Sequence, residues 1–149
     1  METLEFKIRI ATSAEELWKL LWSPETYRQW TQYIGKITKI ESDWKLGGTT
    51  LFLDDENNGL FSTIEQMQEP KEVIFQHLGT YKNGVVDIKS QPVMEWSGIE
   101  EKYFLREIEP RLTELRIVVH TYQIYDERIM DGFNKGLELL KQIAESEQI

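Results

Sequence analysis

Leu4, Phe6, Ile8 and Ile10 alternate with Glu5, Lys7 and Arg9 near the start of the chain. A period of two puts the first set on one face and the second on the other, which predicts a strand with one buried and one wet face. The period then lengthens. Ser13 and Glu16 have the spacing of a capping box, and Ala14, Leu17, Trp18 and Leu21 make a helical stripe behind it. Ser23 followed by Pro24 is a second start signal, opening a short helix that carries Tyr27 and Trp30 on one side.

From Ile37 to Thr121 the pattern is mostly alternation broken by turn chemistry. KITKIESDW leads through Gly47-Gly48 into TTLFL, and the polar run Asp54 to Gly59 leads into LFSTIEQM. Pro70 and Lys71 precede VIFQHL, and Pro110 to Thr113 separate YFLREIE from LRIVVHTY. Asn83-Gly84, between Tyr81 and Val85, is a two-residue hairpin signal, whereas Ser90 to Gly98 carries no strand period.

Residues 128–145, RIMDGFNKGLELLKQIAE, read as a helix with two glycines inside it. At about 100° per residue, Gly136 falls in the middle of the apolar stripe of Ile129, Met130, Phe133, Leu137, Leu140, Ile143 and Ala144, with Gly132 at its edge. Each glycine costs the helix about 1 kcal/mol relative to alanine, so something on the facing side has to offset it. The order of one strand, two short helices, a run of antiparallel strands and a long last helix predicts an α+β domain. In it a curved antiparallel sheet wraps around the C-terminal helix, because the helix stripe and the strand faces both need cover.

Composition narrows the function. The chain has 149 residues, 40% of them hydrophobic, which suits one core and a single domain over 1–149. Its 26 acidic against 17 basic residues give a formal charge of -9, which disfavours nucleic acid and anionic lipid surfaces, and no apolar run approaches the ~18 residues of a membrane span, so neither nucleic-acid binding nor membrane insertion is expected. With no cysteine, thiolate chemistry is excluded and a reducing, cytoplasmic setting is expected.

Chemical motifs are sparse. Asp54-Asp55-Glu56-Asn57-Asn58-Gly59 with Glu65 nearly copies a calcium loop, but that loop needs a helix on each side, and the flanks here alternate as strands; a polar hairpin turn is expected instead. His77 and His120, on opposite expected faces, do not make a zinc site, and His120 should face outward. There is no nucleophile elbow and no phosphate-binding glycine loop, so neither a catalytic residue nor a cofactor is expected. Glu100, Glu101, Glu107 and Glu109 read as a solvated acidic face.

The stretches LWKLLWSPETYRQW, DWKLGGTTL and EPKEVIFQHL, with GF before LELL in the terminal helix, resemble the START-like helix-grip superfamily, and within it the branch of activator of heat-shock-protein ATPase homologues. The likeness covers nearly the whole chain, although Phe133 stands where such sequences often have tryptophan. The resemblance implies a hydrophobic cavity between sheet and helix, used for lipids, hormones or polyketides, or filled in members that bind proteins.

On this architecture Gly136 either lets the helix backbone pack close to a strand or leaves room for a guest. Strand parity and helix face nominate Phe6, Ile8, Phe75, His77, Tyr103, Leu115, Ile117, Met130, Phe133, Gly136 and Leu137 to share that space. His77 and Tyr103 are either satisfied core groups or polar contacts for a carbonyl or carboxylate. The loose stretch 79–98 is either a lid, closing the mouth with Tyr81, Val85, Val86, Met94 and Trp96, or a surface hairpin. Non-catalytic binding of a small hydrophobic or amphipathic, lipid-like molecule is the leading expectation. A chaperone-activator-type interaction module and a cyclase- or hydratase-like enzyme are the alternatives.

Overall fold

The computed structural model describes residues 2–121 and 127–146. Strand β1 (Glu2–Ile10) buries Leu4, Phe6 and Ile10 as its alternation requires, with Ile8 half-buried. Helix α1 (Ala14–Trp22) begins at Ser13, whose Oγ accepts from the Glu16 backbone N–H at 3.1 Å. Ser23 both ends α1 and caps α2 (Pro24–Thr31), so the two helices join with no linker. Trp30 Nε1 donates to the Leu21 carbonyl at 3.1 Å and ties them side by side.

Strands β2 (Lys39–Ser42), β3 (Thr50–Leu53), β4 (Gly59–Gln68), β5 (Glu72–Lys82), β6 (Val85–Asp87), β7 (Glu100–Glu109) and β8 (Leu112–Thr121) complete one eight-stranded sheet, ordered β1-β8-β7-β5-β4-β3-β2, with β6 beside β5. Tyr122, the last residue of the LRIVVHTY stretch, lies outside the described residues. Every pair of these strands is antiparallel. Register shifts in β4 at Phe61/Ser62 and Ile64/Gln66 bend it, which helps the sheet curl into a half-barrel. The segment after β6 forms one short helix, α3 (Gln91–Met94).

Turn chemistry explains the hairpins. Asp54 accepts from the backbone N–H groups of Asn58 and Glu56 at 3.0 and 2.8 Å, and these bonds hold its carboxyl below the usual carboxylate range. The acidic run between β3 and β4 is therefore a turn that uses its own carboxylate, flanked by strands. Asn83 and Gly84 both take positive φ, 52° and 78°, as a two-residue hairpin matched to strand twist demands.

The long helix α4 (Glu127–Ser146) lies against the concave face, burying Phe133, Leu137, Leu140 and Ala144. Phe133 stacks on Phe6 of β1 with ring centroids 4.5 Å apart. Near its C-terminal end, Lys141 Nζ donates to the Arg9 carbonyl at 2.8 Å, and Glu145 accepts from the Ala11 N–H at 2.9 Å. The facing side of the glycines is not a strand. A Cβ on Gly136 would collide with the Trp30 carbonyl oxygen, and one on Gly132 with the carbonyl of Tyr33. Two bare helix positions thus let α4 press against the C-terminal end of α2 and the turn after it.

Candidate functional site

A cavity of about 250 Å³ opens between α2, α4 and the sheet. Its buried wall comes from Leu4, Tyr27, Trp30, Phe52, Tyr103 and Phe133. Half-exposed Ile34, Ile37, Leu60, Ile99 and Ile129 line it nearer the solvent. The polar part is a connected chain. Ser62 Oγ lies 2.6 Å from His77 Nδ1, His77 Nε2 lies 3.3 Å from Glu101 Oε1, and the Tyr103 hydroxyl donates to Glu101 Oε2. Because the Glu101 carboxylate can only accept, the neutral imidazole carries its proton on Nε2 and donates to it, and the Ser62 hydroxyl then donates to Nδ1.

Each member of this chain is placed by strand geometry. Glu101 and Tyr103 are two residues apart on β7 and share its inner face. His77 sits on β5 opposite Ser62 of β4, and its ring meets Phe52 edge-on at 5.2 Å. Burial first, and the Glu101 carboxylate second, push the hydroxyls of Tyr27 and Tyr103 well above the ordinary tyrosine range. Ser62→Ala would leave a buried ring nitrogen of His77 without its partner, and should lower unfolding stability by about 1–2 kcal/mol in urea titration while the fold persists.

The sequence expectations meet this geometry unevenly. His77, Tyr103 and Phe133 border the cavity. Phe6, Phe75, Leu115, Ile117 and Leu137 are buried core away from it, and Ile8 and Met130 pack partly buried against that core. Strand parity selects a face of the sheet but not how far along it the cavity lies, so these residues fill the interior instead. Gly136 is withdrawn as a lining residue, because the Trp30 backbone occupies the space beside it.

The lid reading is also corrected. Tyr81, Val85, Val86, Met94 and Trp96 do not border the cavity; Val85 and Met94 are exposed, and the segment is anchored instead by Val93. No residue of 79–98 borders the cavity; Ile99, just past the segment, does, held by a bond from the His77 N–H to the Ile99 carbonyl at 2.9 Å. His120, expected to face outward, instead borders the cavity, with Nδ1 4.0 Å from Glu100 Oε1; alternation sets the direction of a side chain but not how the end of a curled strand turns it towards the opening.

Sequence reasoning missed Glu101 and the α2 wall. Glu101 has the same strand parity as Tyr103, a signal outweighed by reading four nearby glutamates as solvent-facing. Tyr27 and Trp30 were legible as one helix face, but nothing in the sequence turned that face towards the cavity.

The fold matches that of solved structures at low sequence identity. The Aha1 dimer from Colwellia psychrerythraea superposes with a TM-score of 0.67 at 18% identity, covering 100% of both chains. An Hsp90 activator from Plasmodium falciparum gives 0.64 at 13% identity over 95% of this chain and 94% of that one. CalU16 from Micromonospora echinospora gives 0.59 at 18% identity over 97% and 77% respectively. No curated protein sequence matches the chain. The profile of the family described as Activator of Hsp90 ATPase homolog 1-like protein matches residues 11–145, and with the α+β helix-grip architecture in place the chain belongs to that family.

Proposed function

We propose that the protein, as one domain over 1–149, binds a small hydrophobic or amphipathic molecule without chemically altering it, in the cavity between α2, α4 and the sheet. The observation that carries this reading is an apolar, partly aromatic space of about 250 Å³ with one polar cluster on its wall. Ordinary ligand sites begin near ~300 Å³, so the guest is small. Acid–base catalysis has less to work with, since both ring nitrogens of His77 are already engaged by Ser62 and Glu101. A cytoplasmic setting fits the cysteine-free sequence. Among the described residues no helix is long and apolar enough to cross a membrane.

Native mass spectrometry of the purified protein should reveal a retained small molecule absent from the denatured mass. Leu60→Trp, which adds bulk at a half-exposed lining position, should lower its occupancy about tenfold or more by displacing guest volume. Repeated absence of a guest, together with no thermal shift across a panel of small apolar compounds, would count against the reading.

A second reading, a protein-interaction module of the chaperone-activator type, is favoured by one observation. Val85, Val86, Ile88 and Met94 are all exposed within one short segment, an apolar surface of the kind that contacts partners. The charge of -9 favours a basic patch on such a partner. A purified Hsp90-class chaperone that binds wild type and Leu60→Trp equally, and loses binding on Val85→Asp with Met94→Asp, would support this reading over the first.

A further inference from the structure

The polar cluster of the cavity has a direction. Glu101 accepts hydrogen bonds from both the Tyr103 hydroxyl and, since a carboxylate can only accept, the Nε2–H of His77. The hydroxyl of Thr31, also in the lining, donates to the Tyr27 carbonyl. These lining protons are thus committed to the protein itself. A carboxylate offers about four lone-pair sites, and two are taken here, so what Glu101 turns to a guest is acceptor capacity and negative charge. Its side chain is 17% exposed and borders the cavity. Among the described residues no lysine or arginine lines the space.

Around this carboxylate stand aromatic rings. Tyr27, Trp30, Phe52, Tyr103 and Phe133 all border the cavity, and Trp30 meets Tyr27 and Tyr103 edge-on at 5.5 and 6.4 Å. Ring faces attract cations and accommodate apolar carbon equally well. An anionic guest would meet the field of Glu101 with no lysine or arginine in the lining to offset it. A neutral alcohol could donate to Glu101 but would gain no ion pairing. A protonated amine on a short apolar body satisfies both features.

We propose that the cavity selects small arylalkylamines, the ammonium group on the free lone pairs of Glu101 and the aromatic body against Trp30, Phe52 and Phe133. The inference rests on the ligand-binding reading above and names the class of guest. The protein's net charge of -9 adds a long-range bias in the same direction.

The test is calorimetric titration at neutral pH with phenethylamine, phenethyl alcohol and phenylacetate, which share one aromatic body, and with ethylamine as a charge-only control. Wild type should bind phenethylamine about tenfold or more tighter than the alcohol, the increment of a charge-assisted hydrogen bond, with phenylacetate weakest. Glu101→Gln keeps an acceptor for the Tyr103 hydroxyl while removing the charge. It should weaken phenethylamine about tenfold and leave the alcohol within about threefold, which also verifies that the cavity is intact. Saturable binding of the alcohol or the acid as tight as the amine, an amine preference that survives Glu101→Gln, or ethylamine binding as well as phenethylamine would overturn the amine assignment and leave the ligand-binding reading standing. Absence of saturable binding by all the aromatic probes would overturn both.

Discussion

Gly136→Ala is expected to destabilise the protein by about 2–3 kcal/mol, although alanine is the better helix former by about 1 kcal/mol. The sign comes from what the methyl group would meet. A Cβ at this position would overlap the Trp30 carbonyl oxygen, and the backbone of a buried helix end cannot swing away as a flexible side chain can. Either α4 lifts off α2, opening gaps around Phe133 and Leu137, or the two helices accept the strain. At the scale typical of a chain of this size the melting temperature should fall by roughly 5–10 °C. Asn134→Ala, on the exposed face of the same helix, should instead raise stability by a few tenths of a kcal/mol. A Gly136→Ala melt at or above the wild-type temperature would mean that the helices do not approach as described.

Alkaline pH should produce the second large effect. Tyr27 and Tyr103 are buried, and burial with the nearby Glu101 charge raises both hydroxyls well above the ordinary tyrosine value. A proton held more tightly in the folded state than in the unfolded one gives stability that is complete below the unfolded value of about 10 and is lost as pH rises through the window up to the folded values. The loss is about 1.4 kcal/mol per pH unit for each tyrosine, and nearly twice that for the pair. Unfolding free energies from guanidinium titrations should stay level up to about pH 9 and fall above about pH 10, approaching that slope by about pH 11, with the tyrosinate absorbance of Tyr27 and Tyr103 appearing only with unfolding. Tyr27→Phe should roughly halve the slope. An unchanged slope in Tyr27→Phe would show that other groups govern alkaline unfolding.

Particular elements explain what the sequence disclosed and what it withheld. The strands, the Ser13 and Ser23 starts, the Asn83-Gly84 hairpin and the long last helix follow from local periodicity and turn chemistry, and their placement needed no tertiary information. The glycines were a true signal of close approach, but a missing side chain does not say which neighbour comes near; the neighbour is the end of α2. The nominated site mixed wall with interior, because alternation tells inside from outside and not how far along a strand the packing stops. Hence His77 and Tyr103 border the cavity, while Phe75 and Leu115, with the same facing, are sealed in the core. Glu101 escaped notice because an acidic residue among acidic neighbours reads as wet unless its parity with Tyr103 is weighed first.

The place of β1 in the sheet has a further consequence, for assembly. Leu4 lies opposite Val119 and Ile10 opposite Thr113, so β1 pairs with β8, more than a hundred residues further along the chain. Topologies built from such remote pairings fold in milliseconds to seconds, not microseconds. A nascent polypeptide interrupted ahead of Leu112 would present Leu4, Phe6 and Ile10 with no edge to join, and its half-barrel would stay unfinished until Leu112–Thr121 had been made.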